Sequence, residues 1–407
     1  MRLFSFNTPH TPPTAREDDP TILRLIRSRR VGPASFHRLI AEHGSAGAAL
    51  AALPEIAGRA GIEAYAPCSE AAAAAELRAG HRAGARLLRF DDADYPPLLR
   101  QIADAPPVLW IKGNAAILRD PSIAVIGARD ASSLGLRMAR GLARGLAERG
   151  LRIVSGLARG IDSAAHEASV KTGTIAVMAG GIDVIYPREN RVLAATICDR
   201  GCLISEQPPG LAPVARHFPL RNRIISGLAH GVVVVEAAPR SGSLITARNA
   251  LDQGREVLAV PGHPVDGRAG GCNQLIRDGA ILVRNADDVL AALPELAPRL
   301  PGADPPATDL APDPDGAGPG AQPAPPPSAD PPPPAPARPA LPFPHRGATR
   351  AADATRLVLQ HLSASPTDQD ALARDTGLRA AELSSLLIEL ELKGRLTRLA
   401  GGQIALS

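Results

Sequence analysis

The feature that most constrains this chain is a series of short, uninterrupted apolar runs. Ile123-Ala124-Val125-Ile126 closes on Gly127, Leu151 to Val154 (with Arg152 inside) on Ser155-Gly156, and Ile175 to Met178 on Ala179-Gly180-Gly181. Leu203-Ile204, Gly231 to Val235, Val257 to Val260 and Ile281 to Val283 continue the series. Runs without apolar–polar alternation must be covered on both faces, and helical stretches such as Leu134 to Arg149 and Ile161 to Lys171 lie between them. That is the pattern of a parallel, three-layer α/β domain. The runs set its core at about 115–297. Upstream, Phe90 to Leu99 leads into Pro106 to Gly113, where two prolines argue against a central strand. The expectation there is an edge segment bridging two domains, and the whole domain is placed at 85–297.

Composition divides the rest. Residues 301–340 hold 16 of the 41 prolines and five Asp against one Arg, so 298–348 reads as a disordered, Pro-rich linker. Residues 1–18 read as a frayed terminus. Between Pro20 and Gly61 the apolar stripes Ile22, Leu23, Leu25, Ile26 and Phe36, Leu39, Ile40 flank the turn Arg30-Val31-Gly32-Pro33. With the stretch from Ser69 to Gly80 they make a small helical domain at 19–84, SAM-like or helix-hairpin-helix. Its turn could offer backbone N–H groups to a phosphate, although a hairpin that only packs is the first reading. The last segment, 349–407, reads helix, helix-turn-helix, hairpin: a winged helix, with Thr367 as a helix cap. Residues 351–407 carry six Lys or Arg against seven Asp or Glu. The candidate recognition helix, RAAELSSLLIELELK, has no basic face, which favours partner contact over duplex binding.

The formal charge is +4, and lysine is limited to Lys112, Lys171 and Lys393 among 45 basic residues. Arginine abundance therefore says little, while its placement says more. With 2% aromatics a broad base-stacking surface is not expected, and contact should be mostly phosphate-directed. The four cysteines lack metal-site or disulfide spacing, so neither a metal nor a cofactor is expected. No leader-like segment and no run of 18 apolar residues is present. A cytoplasmic location without membrane contact is the expectation.

Ligands of open α/β sheets sit at the carboxyl ends of the strands. There is neither a GxGxxG nor a GKS/GKT loop. The first exit, Gly127-Ala128-Arg129-Asp130-Ala131-Ser132, instead offers a glycine, an arginine and a helix-capping serine, a set that suits a phosphate. The second exit supplies Ser155, Gly156 and Arg159. Asp162 and His166 follow on one helix face and read as a structural pair before a metal or acid–base pair. At the third, Tyr186 stands beside Arg188. A core tyrosine is the first reading and a base-stacking one the second. The densest basic run, Arg216 to Arg223, contains Arg221, Asn222 and Arg223. After the next strand, Arg240-Ser241-Gly242-Ser243 forms an anion nest, with Ser243 as the expected cap and Arg248 beyond. Residues 119–290 hold 21 Lys or Arg against 16 Asp or Glu, gathered near strand exits. Separate anionic subsites with little sequence preference follow from that.

VIGARDASSLG, IVSGLARGIDSAAH, AVMAGGIDVIYPREN, LISEQP, HFPLRNRIISGL, VVVEAAPRSGSLITARNALDQGREVLAVPG and GCNQLIRDGA run in order through the domain. In these stretches the chain resembles the DNA-processing A protein (DprA/Smf) family, over about 85–300. The resemblance implies an extended Rossmann-like domain that binds single-stranded DNA without turnover. It also implies protection of incoming strands in natural transformation, help in loading the RecA recombinase, and a homodimer. It puts Arg129 in the DNA pocket, and Lys171 and the Arg221–Arg223 segment on the basic surface. The alternative is a nucleotide-processing enzyme, phosphoribohydrolase-like, on a related fold, for which Glu206 or Glu236 would be the catalytic acid.

Overall fold

The computed structural model describes residues 17–299 and, of the C-terminal segment, 354–355, 357–359, 362, 367–398 and 403–406. The expected linker lies outside the described residues except for 298–299, which end a 3-10 turn, Pro294–Arg299. Of the expected frayed terminus, 1–16 lie outside and the last two residues are held. Asp18 caps the first helix, accepting from the Thr21 N–H, and the Glu17 carboxylate accepts from the Ala46 and Gly47 N–H groups.

Four helices open the chain: α1 (Asp19–Arg27), α2 (Pro33–His43), α3 (Ala46–Arg59) and α4 (Glu70–Arg82). Each start is legible. Pro33 sits where the missing N–H costs nothing, and Ser45 and Ser69 accept from Ala48 N and Ala72 N. The two expected stripes bury together, and their core takes in Val108 of the neighbouring sheet. Arg27 grips Glu76 with two 2.9 Å bonds, and Glu76 accepts from the Trp110 indole at 3.0 Å. The helical module is thus locked to the sheet.

That sheet has nine strands: β1 (Arg86–Arg89), β2 (Val108–Gly113), β3 (Ser122–Ile126), β4 (Arg152–Ser155), β5 (Thr174–Val177), β6 (Cys202–Ser205), β7 (Gly231–Val234), β8 (Glu256–Ala259) and β9 (Ile281–Leu282). Their order is β1-β2-β6-β5-β4-β3-β7-β8-β9, antiparallel at β1/β2 and β2/β6 and parallel elsewhere. The expected edge position of Pro106 to Gly113 is corrected. β2 lies inside the sheet with Trp110 fully buried, and β1 is the edge. The two prolines stand just before the strand, so their missing N–H groups remove no bond from its ladder.

Between and after the strands run α5 (Pro97–Arg100), α6 (Ser133–Glu148), α7 (Ile161–Ser169), α8 (Arg191–Arg200), α9 (His217–Leu228), α10 (Gly242–Asp252), α11 (Gly270–Arg277) and α12 (Ala286–Ala291). Strand residues divide by parity. Ile123, Val125 and Ile153 pack with α6, α7 and α12, while Ala124, Ile126 and Val154 pack with α9 and α10. This is the three-layer architecture that unalternating strands require.

In the C-terminal unit, α13 (Gln369–Thr376) and α14 (Ala380–Leu392) stand with β10 (Thr367–Asp368), β11 (Leu396–Arg398) and β12 (Gln403–Leu406), the last pairing with both others. Leu372, Leu383, Leu387, Leu390, Leu396 and Ile404 form its core. Thr367 is a strand residue paired with Ile404, not the helix cap the sequence suggested.

Candidate nucleic-acid interface

A cavity of about 360 Å³ opens at the carboxyl ends of β3, β4 and β5. Three loops and the head of α9 line it: Arg129 after β3, Gly156, Ala158 and Arg159 after β4, Tyr186 to Glu189 after β5, and Phe218. Parallel strands that all end on one side bring together residues scattered over nearly a hundred positions.

The walls combine cations with rings. The Arg129 guanidinium lies over the Phe218 ring, 4.8 Å from its centroid, and Tyr186 packs against Phe218 at 5.7 Å. Tyr186 is 51% exposed. It is a surface ring, which corrects the core position expected first. Arg159 makes a loose 3.6 Å contact with Glu189, both being well exposed. Among the described residues, no ion pair holds Arg129 or Arg188, and both are exposed. Sequence reasoning quoted Phe218 within the basic run without giving it a role. The usable signal was a ring at the first turn of a helix leaving a strand exit.

Apart from the exposed Arg216, the arginines of the basic run face inward. Arg221 is buried and donates to the carbonyls of Gly156 (2.5 Å) and Val177 (2.6 Å), tying the ends of β4 and β5 beneath the cavity. A Cβ at Gly156 would collide with this guanidinium, so only glycine admits the contact. Burial lowers the Arg221 pKa to about 10, against the pull of nearby Asp162. Arg223 is gripped by both Glu206 oxygens at 2.7 Å and by the Asp104 carbonyl at 2.7 Å. Asn222 is buried, with its amide 3.3 Å from the Gly242 carbonyl. Arg223 is thus fully engaged, whereas Arg221 donates through Nη1 and its buried Nε has no partner among the described residues.

The other expected ligands divide similarly. Ser132 caps α6, accepting from Gly135 N at 2.9 Å, but its own N–H and hydroxyl both donate to Glu236. The Glu236 carboxylate therefore occupies the α6 N-terminus, where a phosphate had been expected. Gly135 lacks the Cβ that would strike that carboxylate. Ser155 donates to the Val125 carbonyl and Ser243 to that of Gly127, so these polar groups brace neighbouring strand exits. Ser241, not Ser243, caps α10. Arg240 is exposed on the loop after β7 in the left-handed region (φ 67°), and Arg248 is exposed along α10. Neither lines the cavity. Lys171 follows the end of α7, at the opposite end of the sheet from the strand exits.

Asp162 and His166 do not bond to each other. Asp162 accepts from the Gly156 N–H at 3.1 Å, and burial raises its pKa. His166 bonds Thr174 at 2.8 Å, and burial lowers its pKa to about 3. The Thr174 hydroxyl donates to the Ile153 carbonyl, so His166 Nδ1 carries the proton. The two acids considered for catalysis, Glu206 and Glu236, are both held in internal contacts. Among the described residues, no group of three His, Cys, Asp or Glu could hold a metal ion, and no helix is long and apolar enough to cross a membrane.

A family model for DNA recombination-mediator protein A matches residues 86–294, half of the chain. The chain belongs to the DprA/Smf family. Models for a DprA-like N-terminal HHH domain and a DprA winged helix domain match residues 16–79 and 322–402. DNA processing protein DprA of Streptococcus pneumoniae is 48% identical over 204 residues, 50% of this chain and 72% of that protein. Protein Smf of Escherichia coli is 38% identical over 323 residues, 79% of this chain and 77% of that protein. A solved structure of DprA from Streptococcus pneumoniae gives a TM-score of 0.57 at 36% identity, covering 68% of this chain and 98% of that one. This DprA/Smf chain accordingly carries the family's DNA-binding, DNA-processing architecture, with an α/β domain between a helix-hairpin-helix module and a winged helix.

Proposed function

We propose that the cavity at the ends of β3, β4 and β5 binds single-stranded DNA, without turnover. The observation that carries this is the mixed wall: three exposed arginines around two adjoining rings, one of them half exposed. Arginines suit phosphates, and a ring takes the face of any base that is out of a duplex stack. A strand whose bases are free gains both contacts, while a paired duplex offers only its phosphates. Of the chain's six Phe and three Tyr, two rings suffice here because the strand is held mainly through its backbone.

The same reading extends to the cytoplasmic protection of incoming strands and to RecA loading during natural transformation. Membership of a recombination-mediator family supports that extension. A homodimer is part of it. The sheet ends on β9, whose Ile281 and Leu282 are 37% and 44% exposed. An apolar edge of this kind suits a second copy. Sedimentation of wild type and Leu282→Glu tests it: a dimer that the substitution splits is expected, and a monomeric wild type contradicts it.

The engagement of Glu206 and Glu236 in internal contacts favours strand binding over nucleotide processing. The test is fluorescence anisotropy with labelled single-stranded and duplex oligonucleotides, using wild type and Arg129→Ala. Preference for the single strand, with a clear loss in the variant, is expected. Equal affinity for both forms, or an unaffected variant, contradicts the reading. Base release from nucleotides by the wild type would establish the enzyme instead.

A further inference from the structure

The cavity has two walls from separate loops, Ala158–Arg159 after β4 and Tyr186–Glu189 after β5. One buried side chain spans them. Asn190 is 8% exposed, and its Nδ2 donates to the Leu157 carbonyl and to Ser163 Oγ, each at 2.9 Å. Leu157 is itself buried and held at φ 55°, a left-handed conformation unfavourable for a residue with a side chain. Ser163 Oγ donates in turn to the Ala158 carbonyl at 2.6 Å. On the other wall, the Asn190 N–H donates to the Pro187 carbonyl at 3.1 Å. One residue thus reaches both walls within a few atoms of the groups that line the cavity.

The chemistry of its partners explains why the residue is an amide. The Leu157 carbonyl can only accept, and the Ser163 hydroxyl has spent its proton on Ala158. Both demand a donor at the same side-chain atom. Asparagine supplies two N–H bonds there. Aspartate, of equal size, would place lone pairs against two oxygens until it took up a proton.

We propose that Asn190 is a positioning residue for the nucleotide cavity, fixing the spacing between the Arg159 wall and the Tyr186–Arg188 wall without touching the strand. The proposal rests on the reading of that cavity as the strand-binding site, and the experiment separates the two. Asn190→Asp and Asn190→Ala are compared with wild type near pH 8 and near pH 5. Hydrogen exchange of 157–163 and 186–190 is followed without DNA, and anisotropy with a labelled single strand gives affinity. The walls and α7 also carry Arg159, Asp162, His166, Arg188, Glu189 and Arg191. Their own titration is shared with wild type, so each variant is read as a ratio to wild type at the same pH.

Near pH 8, Asn190→Asp should exchange faster in both loops and bind about tenfold more weakly, the size of one broken buried hydrogen-bond set. Near pH 5 its protonated carboxyl donates one of the two bonds again, and both readouts should recover in part toward wild type. Asn190→Ala should stay impaired at both. Equal impairment of Asn190→Asp at the two pH values would overturn the proposal, because a packing defect has no pH rescue. Wild-type exchange and affinity in both variants would overturn it as well. Loops that loosen and recover while affinity never moves would instead overturn the cavity as the strand site.

Discussion

Two arginine groups lie close together in this fold and are used in opposite ways. Arg129, Arg159 and Arg188 stand exposed on three different strand exits around a cavity. Arg221 and Arg223, in the densest basic run of the sequence, are buried and spent on Gly156, Val177, Glu206 and Asp104. The first group has donors left for a polyanion. The second holds together the platform on which the first stands, through internal acceptors that meet the Arg223 guanidinium and the Nη1 of Arg221. Local density of positive charge therefore marked scaffold here, and dispersion over strand exits marked the interface.

The largest expected effect breaks the scaffold side. Arg223→Ala leaves Glu206 buried without its partner and should cost about 3–5 kcal/mol in urea unfolding. A wild-type midpoint would show that the pair is not structural. Next comes the ring on the interface side. Phe218→Ala should lose about 1–3 kcal/mol of single-strand affinity, measured by anisotropy, because base stacking and the seat of Arg129 go together. Unchanged affinity would remove the ring from the site.

A smaller effect tests the buried platform by pH. The His166 pKa, lowered to about 3 in the fold from an ordinary 6.5, means that the unfolded chain takes up a proton the native one refuses. Stability is then present above pH 6.5 and is lost as pH falls below it, by about 1 kcal/mol between pH 6.5 and 5.5. His166→Gln should flatten that decline. Asp162, raised by burial, works in the opposite sense as it protonates and is common to both proteins. The smallest expected effect is that of Lys171→Ala. Single-strand affinity should not change, since Lys171 lies at the far end of the sheet, and a clear loss would extend the interface beyond the strand exits.

Much of the fold was legible because its signals are local. Unalternating apolar runs gave the parallel strands, Ser69 opened a helical stretch, and glycine-rich exits gave the ligand side of the sheet. The interior place of β2 was not legible, because two prolines at a strand's threshold look the same in sequence as two within it. The division of arginines was not legible either. Whether Arg223 meets solvent or Glu206 depends on how α9 lies against β6, a long-range fact. The Ser132 loop misled for a similar reason. A helix N-terminus invites an anion, and the sequence could not show that Glu236, about a hundred residues away, already supplies it.

The most direct test of the account is a pair of salt titrations of single-strand affinity, for wild type and for Arg129→Ala/Arg188→Ala. If these exposed arginines neutralise strand phosphates, the slope of log affinity against log salt should shrink by about 1.4, near 0.7 for each phosphate no longer neutralised. The urea midpoint of the variant should match wild type. An unchanged slope in a folded variant would contradict the claim that the strand-exit arginines, and not the buried run on α9, hold the DNA.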